Sequence, residues 1–223
     1  MMPARKTRKS ATIARENQKE TVVSAGLDAL RQVVDSGLLR CAVPEALGGN
    51  GKSLEHLSQG AIALAERSPQ VARILWAQRS AIEALVHSPN IAVREYLLPS
   101  LLNGECAGTL PFQLDSCPLL AEEVGNAYRL YGQLDPVANL QWIGFLLIAP
   151  IRRAGKSIEW VVLRSEEDRL RVGIDHEGDA LYGSRTASVT LDGVFFRMDE
   201  WVNGPPMLAA ITPVLEALRG DQI

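Results

Sequence analysis

Few of the side chains that commonly carry chemistry occur in this 223-residue chain. It holds three cysteines, Cys41, Cys106 and Cys117, and three histidines, His56, His87 and His176. Zinc ligation or thiol–imidazole catalysis would need them at short, recurring spacings. They stand far apart, with no CxxC, no HExxH and no Cys/His cluster. The GxSxG turn that exposes a nucleophilic serine is also absent. Gly48-Gly49-Asn50-Gly51 has the composition of a phosphate cradle, but it lacks the Lys-Ser/Thr end of a P-loop and follows no strand pattern. It reads as a tight turn with positive φ. Arg185 offers either a planar fork for phosphate or carboxylate, or an exposed loop arginine. No residue declares itself a catalytic group or a metal ligand.

Charge and composition exclude further classes. The chain is 47% hydrophobic and 22% charged, as a globular protein is. Residues 1–20 carry a net charge of +4 and the remainder −7. A basic arm on an acidic body could meet an acidic partner, but the acidic body argues against nucleic-acid binding. So do the aromatics, which at 5% are too few for a base-stacking platform. No apolar run reaches the ~18–20 residues of a membrane-spanning helix. The basic N-terminus lacks the apolar stretch of a secretory signal. An odd cysteine count without paired spacing predicts a reducing, cytoplasmic setting.

The elements that must position any site fall into two periods. Residues 15–103 read as helical. A first helix over 15–35 places Leu27, Leu30, Val33 and Val34 on one face and stops at Gly37. Ser53 caps a second, with Leu54, Leu57, Ala61 and Leu64 at helical spacing. Ser68-Pro69 opens a third, the serine accepting from its free amides, and Ser88-Pro89-Asn90 closes it. A fourth ends at Asn103-Gly104. From Cys106 onward, short β-rich runs take over: 127–131, 145–151, 158–163, 170–174 and 188–196. A short apolar helix over 207–218 follows Pro205-Pro206 and predicts a docking partner in this chain or another. The expected organisation is α+β. A basic arm (1–14) precedes a helical domain (15–105), a small antiparallel β-barrel or sandwich domain (106–204) and a C-terminal helical stub (205–223).

This order, with particular words in it, resembles the acyl-CoA dehydrogenase family. The words are Ser36-Gly-Leu-Leu-Arg-Cys-Ala-Val-Pro-Glu-Ala-Leu-Gly-Gly-Asn-Gly51, Val93-Arg-Glu-Tyr-Leu-Leu-Pro-Ser-Leu-Leu-Asn-Gly-Glu105 and Gly183-Ser-Arg-Thr-Ala-Ser-Val-Thr-Leu-Asp-Gly-Val194. The likeness implies the family's N-terminal helical and middle β domains. It implies FAD as cofactor and an acyl-CoA thioester as substrate. A glutamate base would remove the α-proton while hydride passes to the flavin. In the family that base sits in a C-terminal helical domain, which also builds the oligomer. The chain stops at Ile223, about where that domain begins, so no catalytic residue is matched. Glu216 lies in the last helix, with nothing to place it near a flavin.

The flavin motifs implied by the resemblance are mostly replaced. Against the family's T-E-P-x-x-G-S-D stands Thr109-Leu-Pro-Phe-Gln-Leu-Asp-Ser116. Thr109 and Pro111 match, and Thr109 is the one candidate cofactor contact. Leu110 replaces the glutamate, Leu114 the glycine and Asp115 the serine. Leu114 adds bulk where backbone should approach the cofactor, and Asp115 sets a carboxylate near the pyrophosphate. Against G-x-K-x-W-I-T-N stands Gly132-Gln-Leu-Asp-Pro-Val-Ala-Asn139. Pro136 replaces the tryptophan that lies on the flavin, and Ala138 the threonine that bonds it. Gly132 suits a turn after Tyr131.

Three expectations follow. One is an acyl-CoA dehydrogenase-like protein without dehydrogenase activity of its own, acting as a partner or acyl-binding subunit in a homo-oligomer or with another chain. The second is an FAD-dependent acyl-CoA dehydrogenase completed by oligomerisation or a partner subunit, with Thr109 as its surviving flavin contact. The third is a binding module whose basic arm meets an acidic partner.

Overall fold

The computed structural model describes residues 24–114, 119–174, 183–204 and 206–219. The basic arm, Cys117, His176 and Asp115 lie outside them. Helix α1 covers 24–35 and ends at Gly37, whose φ of 71° is the left-handed conformation that stops a helix. Helices α2 (Leu54–Arg67), α3 (Pro69–Val86), α4 (Ile91–Leu102) and α5 (Met207–Arg219) follow the expected periods. The Ser53 hydroxyl caps α2 by accepting from the His56 amide at 3.2 Å. Ser68 makes no side-chain cap on α3, contrary to expectation. Its single extended residue must close α2 through its amide to Leu64 and open α3 through its carbonyl to Ala72. Proline in the first turn of α3 loses no hydrogen bond.

Helix α3 is buried on every side, from Val71 to Leu85. It packs against α2, α4, α5 and the sheet, so it forms the axis of the helical part. Helix α5 lies across α2 and α3. It buries Met207, Ile211, Val214, Leu215 and Leu218 there, so its apolar face is covered within this chain. That settles which of the two expected docking partners it uses. The turn between α3 and α4 fastens the helices to the sheet. The Ser88 hydroxyl donates to the Val202 carbonyl, and Asn90 Nδ2 donates to the Asp199 and Trp201 carbonyls at 2.9 and 2.8 Å.

Among the described residues eight strands make one sheet: β1 (Ala107–Thr109), β2 (Leu119–Val124), β3 (Ala127–Val137), β4 (Phe145–Arg153), β5 (Glu159–Arg164), β6 (Leu170–Val172), β7 (Ala187–Arg197) and β8 (Trp201–Asn203). Their order is β6-β7-β3-β2-β4-β5-β8, with β1 also on β4. Pairing is mostly antiparallel, but β1 and β2 run parallel to β4, one after the other along the same side. The strand expected to end at Tyr131 continues through Gly132 to Val137, pairing with β7 through two irregular steps. Gly132 adopts φ 140° inside the strand, so it bends β3 rather than ending it.

Candidate functional site

The two flavin-motif segments lie side by side. Pro111 forms an antiparallel bridge with Val137, and the Phe112 amide donates to the Pro136 carbonyl at 3.4 Å. The site is therefore the junction of β1, the end of β3 and α3.

Gln78 and Asn139 build this junction. Gln78 is fully buried in the middle of α3. Its Oε1 accepts from the Gly108 amide at 2.6 Å and from Asn139 Nδ2 at 2.9 Å. Its Nε2 donates to the Leu101 and Cys106 carbonyls at 2.8 and 3.0 Å. Asn139 also donates to the Gly108 carbonyl at 3.0 Å and accepts from Gln141 at 3.2 Å. Its φ of 62° turns the chain, so that the amides of Asn139 and Leu140 reach the Ser184 and Arg185 carbonyls. Sequence reading matched Asn139 to the family but missed Gln78. The available signal was an amide in mid-helix, among the recurring apolar positions Ile74, Leu75, Ile82 and Leu85 of α3.

A second buried group ties the Gly37–Gly51 loop to α3. Arg79 donates to the Cys41 carbonyl at 3.1 Å and faces Glu83 at 2.7 Å, and Glu83 meets His87 Nε2 at 3.0 Å. The Arg79–Glu83 contact is close but poorly angled, an ion pair more than a hydrogen bond. Burial pulls the Arg79 guanidinium below its ordinary range, and Glu83 opposes that shift. In the loop, Gly48 and Gly51 take positive φ, as the GGNG turn predicts. A Cβ on Gly49 would run into the Val43 carbonyl, so that position admits no side chain.

The residues at the expected flavin positions are mostly hydrocarbon and buried. Leu110 and Ala138 are fully buried, and Leu114 nearly so. Pro136 is half-buried. Thr109 is fully buried, and its hydroxyl donates to the neighbouring Leu110 carbonyl at 3.2 Å. Phe112 stacks on Trp76 with ring centroids 4.5 Å apart, and the Arg73 guanidinium lies over the same ring. Arg185 is buried, correcting its reading as an exposed loop residue. Its guanidinium sits 5.1 Å from the centre of the exposed Trp142 ring. Glu216 is exposed on α5. Cys41 and Cys106 are free thiols, and burial pushes that of Cys106 up. Among the described residues no group of His, Cys, Asp or Glu could hold a metal ion. None of their helices is long and apolar enough to cross a membrane.

Two grooves, of about 300 and 340 Å³, open elsewhere. One lies between the Arg40–Gly48 loop and α4, the other between α1, Asn103–Glu105 and Ile143. None of the described flavin-motif residues, 109–114 and 132–139, lines either groove.

Residues 5–105 match the family described as acyl-CoA dehydrogenase, N-terminal domain. No curated protein matches the chain. Among solved structures, glutaryl-CoA dehydrogenase from Mycobacterium smegmatis is 18% identical with a TM-score of 0.73, over 89% of this chain and 54% of its own. An acyl-CoA dehydrogenase complexed with FAD from Bacillus anthracis is 16% identical with a TM-score of 0.70, over 86% and 36%. The ChsE4–ChsE5 complex from Mycobacterium tuberculosis gives 18% and 0.67, over 83% and 50%. The chain thus spans about half, or less, of the length of these solved relatives. At such identity the likeness establishes the fold. Residues 5–105 thus match the acyl-CoA dehydrogenase N-terminal domain, and the fold of the described residues is that of the N-terminal and middle domains of acyl-CoA dehydrogenases.

Proposed function

We propose that this chain is an acyl-CoA dehydrogenase-like subunit without dehydrogenase activity of its own, which binds an acyl compound or supports a partner chain. The observation that carries this reading is the chemistry of the paired motif segments. Leu110, Leu114 and Ala138 are buried hydrocarbon where the family's flavin contacts would be polar or open. Among the described residues of these segments the one hydroxyl, on Thr109, already bonds the next carbonyl. These residues do not fit a flavin. Losing several contacts at about 1 kcal/mol each weakens binding by orders of magnitude. Free thiols at Cys41 and Cys106 suit the cytoplasmic setting proposed for it. The test is the absorption spectrum of the purified protein after incubation with excess FAD and desalting, together with its native mass. A colourless protein associated with itself or another chain is expected. A protein that retains stoichiometric flavin overturns this reading.

A second reading is an FAD-dependent acyl-CoA dehydrogenase completed by oligomerisation or a partner subunit. Two observations favour it: one similar structure is the two-protein ChsE4–ChsE5 complex, and another is complexed with FAD. In it Thr109 is the flavin contact contributed by this chain. Flavin retained only after mixing with a full-length relative would select it.

A further inference from the structure

We infer that the groove between the Arg40–Gly48 loop and α4 is a binding site for an amphiphilic anion, a medium-length aliphatic chain ending in a carboxylate or phosphate. Its volume of about 300 Å³ is at the lower end of small-molecule sites. Leu47, Leu98 and Leu102 give it an apolar lining. Two guanidinium groups, Arg40 and Arg94, stand on it, against one carboxylate, Glu95.

The two cations set this groove apart. Arg40 donates to the Gly48 carbonyl and to Asn103 Oδ1, both at 2.7 Å. These neutral acceptors hold the fork in place without a direct ion pair; the Glu105 carboxylate accepts from the other end of the same Asn103 amide at 3.0 Å. Among the described residues Arg94 donates only to the Ser88 carbonyl, at 3.4 Å, and its buried Nε finds no hydrogen-bond partner. Among the described residues neither arginine has a carboxylate within ion-pair distance. Arg79 and Arg153, by contrast, each face a glutamate within 2.7 Å. A fixed guanidinium without a direct ion pair, beside apolar surface, attracts an anion more strongly than one in open water. The apolar lining then selects for a hydrocarbon body behind the charge. The inference goes beyond the reading of the flavin segments, none of which lines the groove, so either can fail alone.

The test titrates decanoate into the full chain, followed by calorimetry and backbone amide NMR. Decyl phosphate varies the head group, decyltrimethylammonium inverts its charge, and anionic vesicles stand for a lipid surface. Saturable, salt-weakened one-site binding of decanoate is expected, with shifted amides confined to 46–48 and 94–103. Decyl phosphate should bind within about an order of magnitude of it. Ala46→Trp fills the groove from an exposed position and should lower affinity by at least about tenfold. Arg94→Gln should lower it about fivefold. Absence of binding, equal binding of decyltrimethylammonium, shifts centred elsewhere, or binding to vesicles alone overturns the inference. So does unchanged affinity in a folded Ala46→Trp protein.

Discussion

Helix α3 and the motif segments beside it treat polarity in opposite ways. Mid-α3 buries an amide, a guanidinium and a carboxylate, at Gln78, Arg79 and Glu83. These side chains bond a backbone group or another buried side chain: the Cys41 carbonyl, the Leu101 carbonyl, the Gly108 amide, Asn139. The motif segments a few ångströms away carry Leu110, Leu114 and Ala138 instead. Polar groups therefore remain where they hold the protein to itself. They are missing where the family resemblance expects them to hold a ligand. A buried polar group is costly unless satisfied, so the α3 network is part of the folding energy. Polar groups that meet only a ligand carry no such weight in the folded chain, and their replacement leaves the scaffold intact.

Breaking the polar side of this contrast should have the larger effects. Glu83→Ala leaves Arg79 buried without its counter-charge and should lower stability by about 3–5 kcal/mol in urea unfolding. A change below about 1 kcal/mol would show that water reaches Arg79 and that the pair is not part of the core. Next comes α5, whose burial within the chain sharpens the comparison. Ile211→Ala should lower stability by about 2–4 kcal/mol with no change in native mass. An unchanged melting temperature with a smaller native mass would instead make α5 an interface element.

Gln78→Leu should cost about 1–3 kcal/mol, because it leaves the Gly108 amide and Asn139 side chain short of a partner. Chemical-shift changes should then concentrate at 106–109 and 138–141. The smallest effect is expected on the other side of the contrast. Thr109→Val removes a hydroxyl that bonds only its neighbour's carbonyl and should change stability by less than about 1 kcal/mol. Flavin retention should be as low in this variant as in the parent protein. If the parent retains FAD and Thr109→Val releases it, the hydroxyl serves the cofactor and the contrast dissolves.

The helices were legible because their apolar residues recur at close to 3.6 residues and their ends carry Gly37, Ser53, Pro69 and Asn90. The long strands β4 and β7 were legible from β-rich runs. β1 and β8 were missed because their three residues show no period and belong to no longer β-rich run, unlike β6 within 170–174. β2 was missed because its Leu-Leu-Ala-Glu-Glu-Val composition favours a helix, and only pairing with β3 and β4 makes it a strand. At the site, the replacements at 110, 114, 136 and 138 could be read residue by residue. That Thr109 is buried with its hydroxyl already bonded could not, since burial depends on what packs over it.

By itself the sequence determined the α-then-β order, the end of α1 and the boundaries of α2 to α4, the GGNG turn and the family resemblance. All of these rest on local spacing and residue type. The expected start of α1 at residue 15 lies outside the described residues. Only the tertiary structure decided that α5 docks on its own chain, that Arg185 is buried, and that Gln78 and Asn139 join α3 to the sheet. It alone set Arg40 and Arg94 on one groove without a carboxylate in ion-pair contact among the described residues. These are contacts between residues distant in the chain, fixed by packing and by the requirement that buried polar groups find partners.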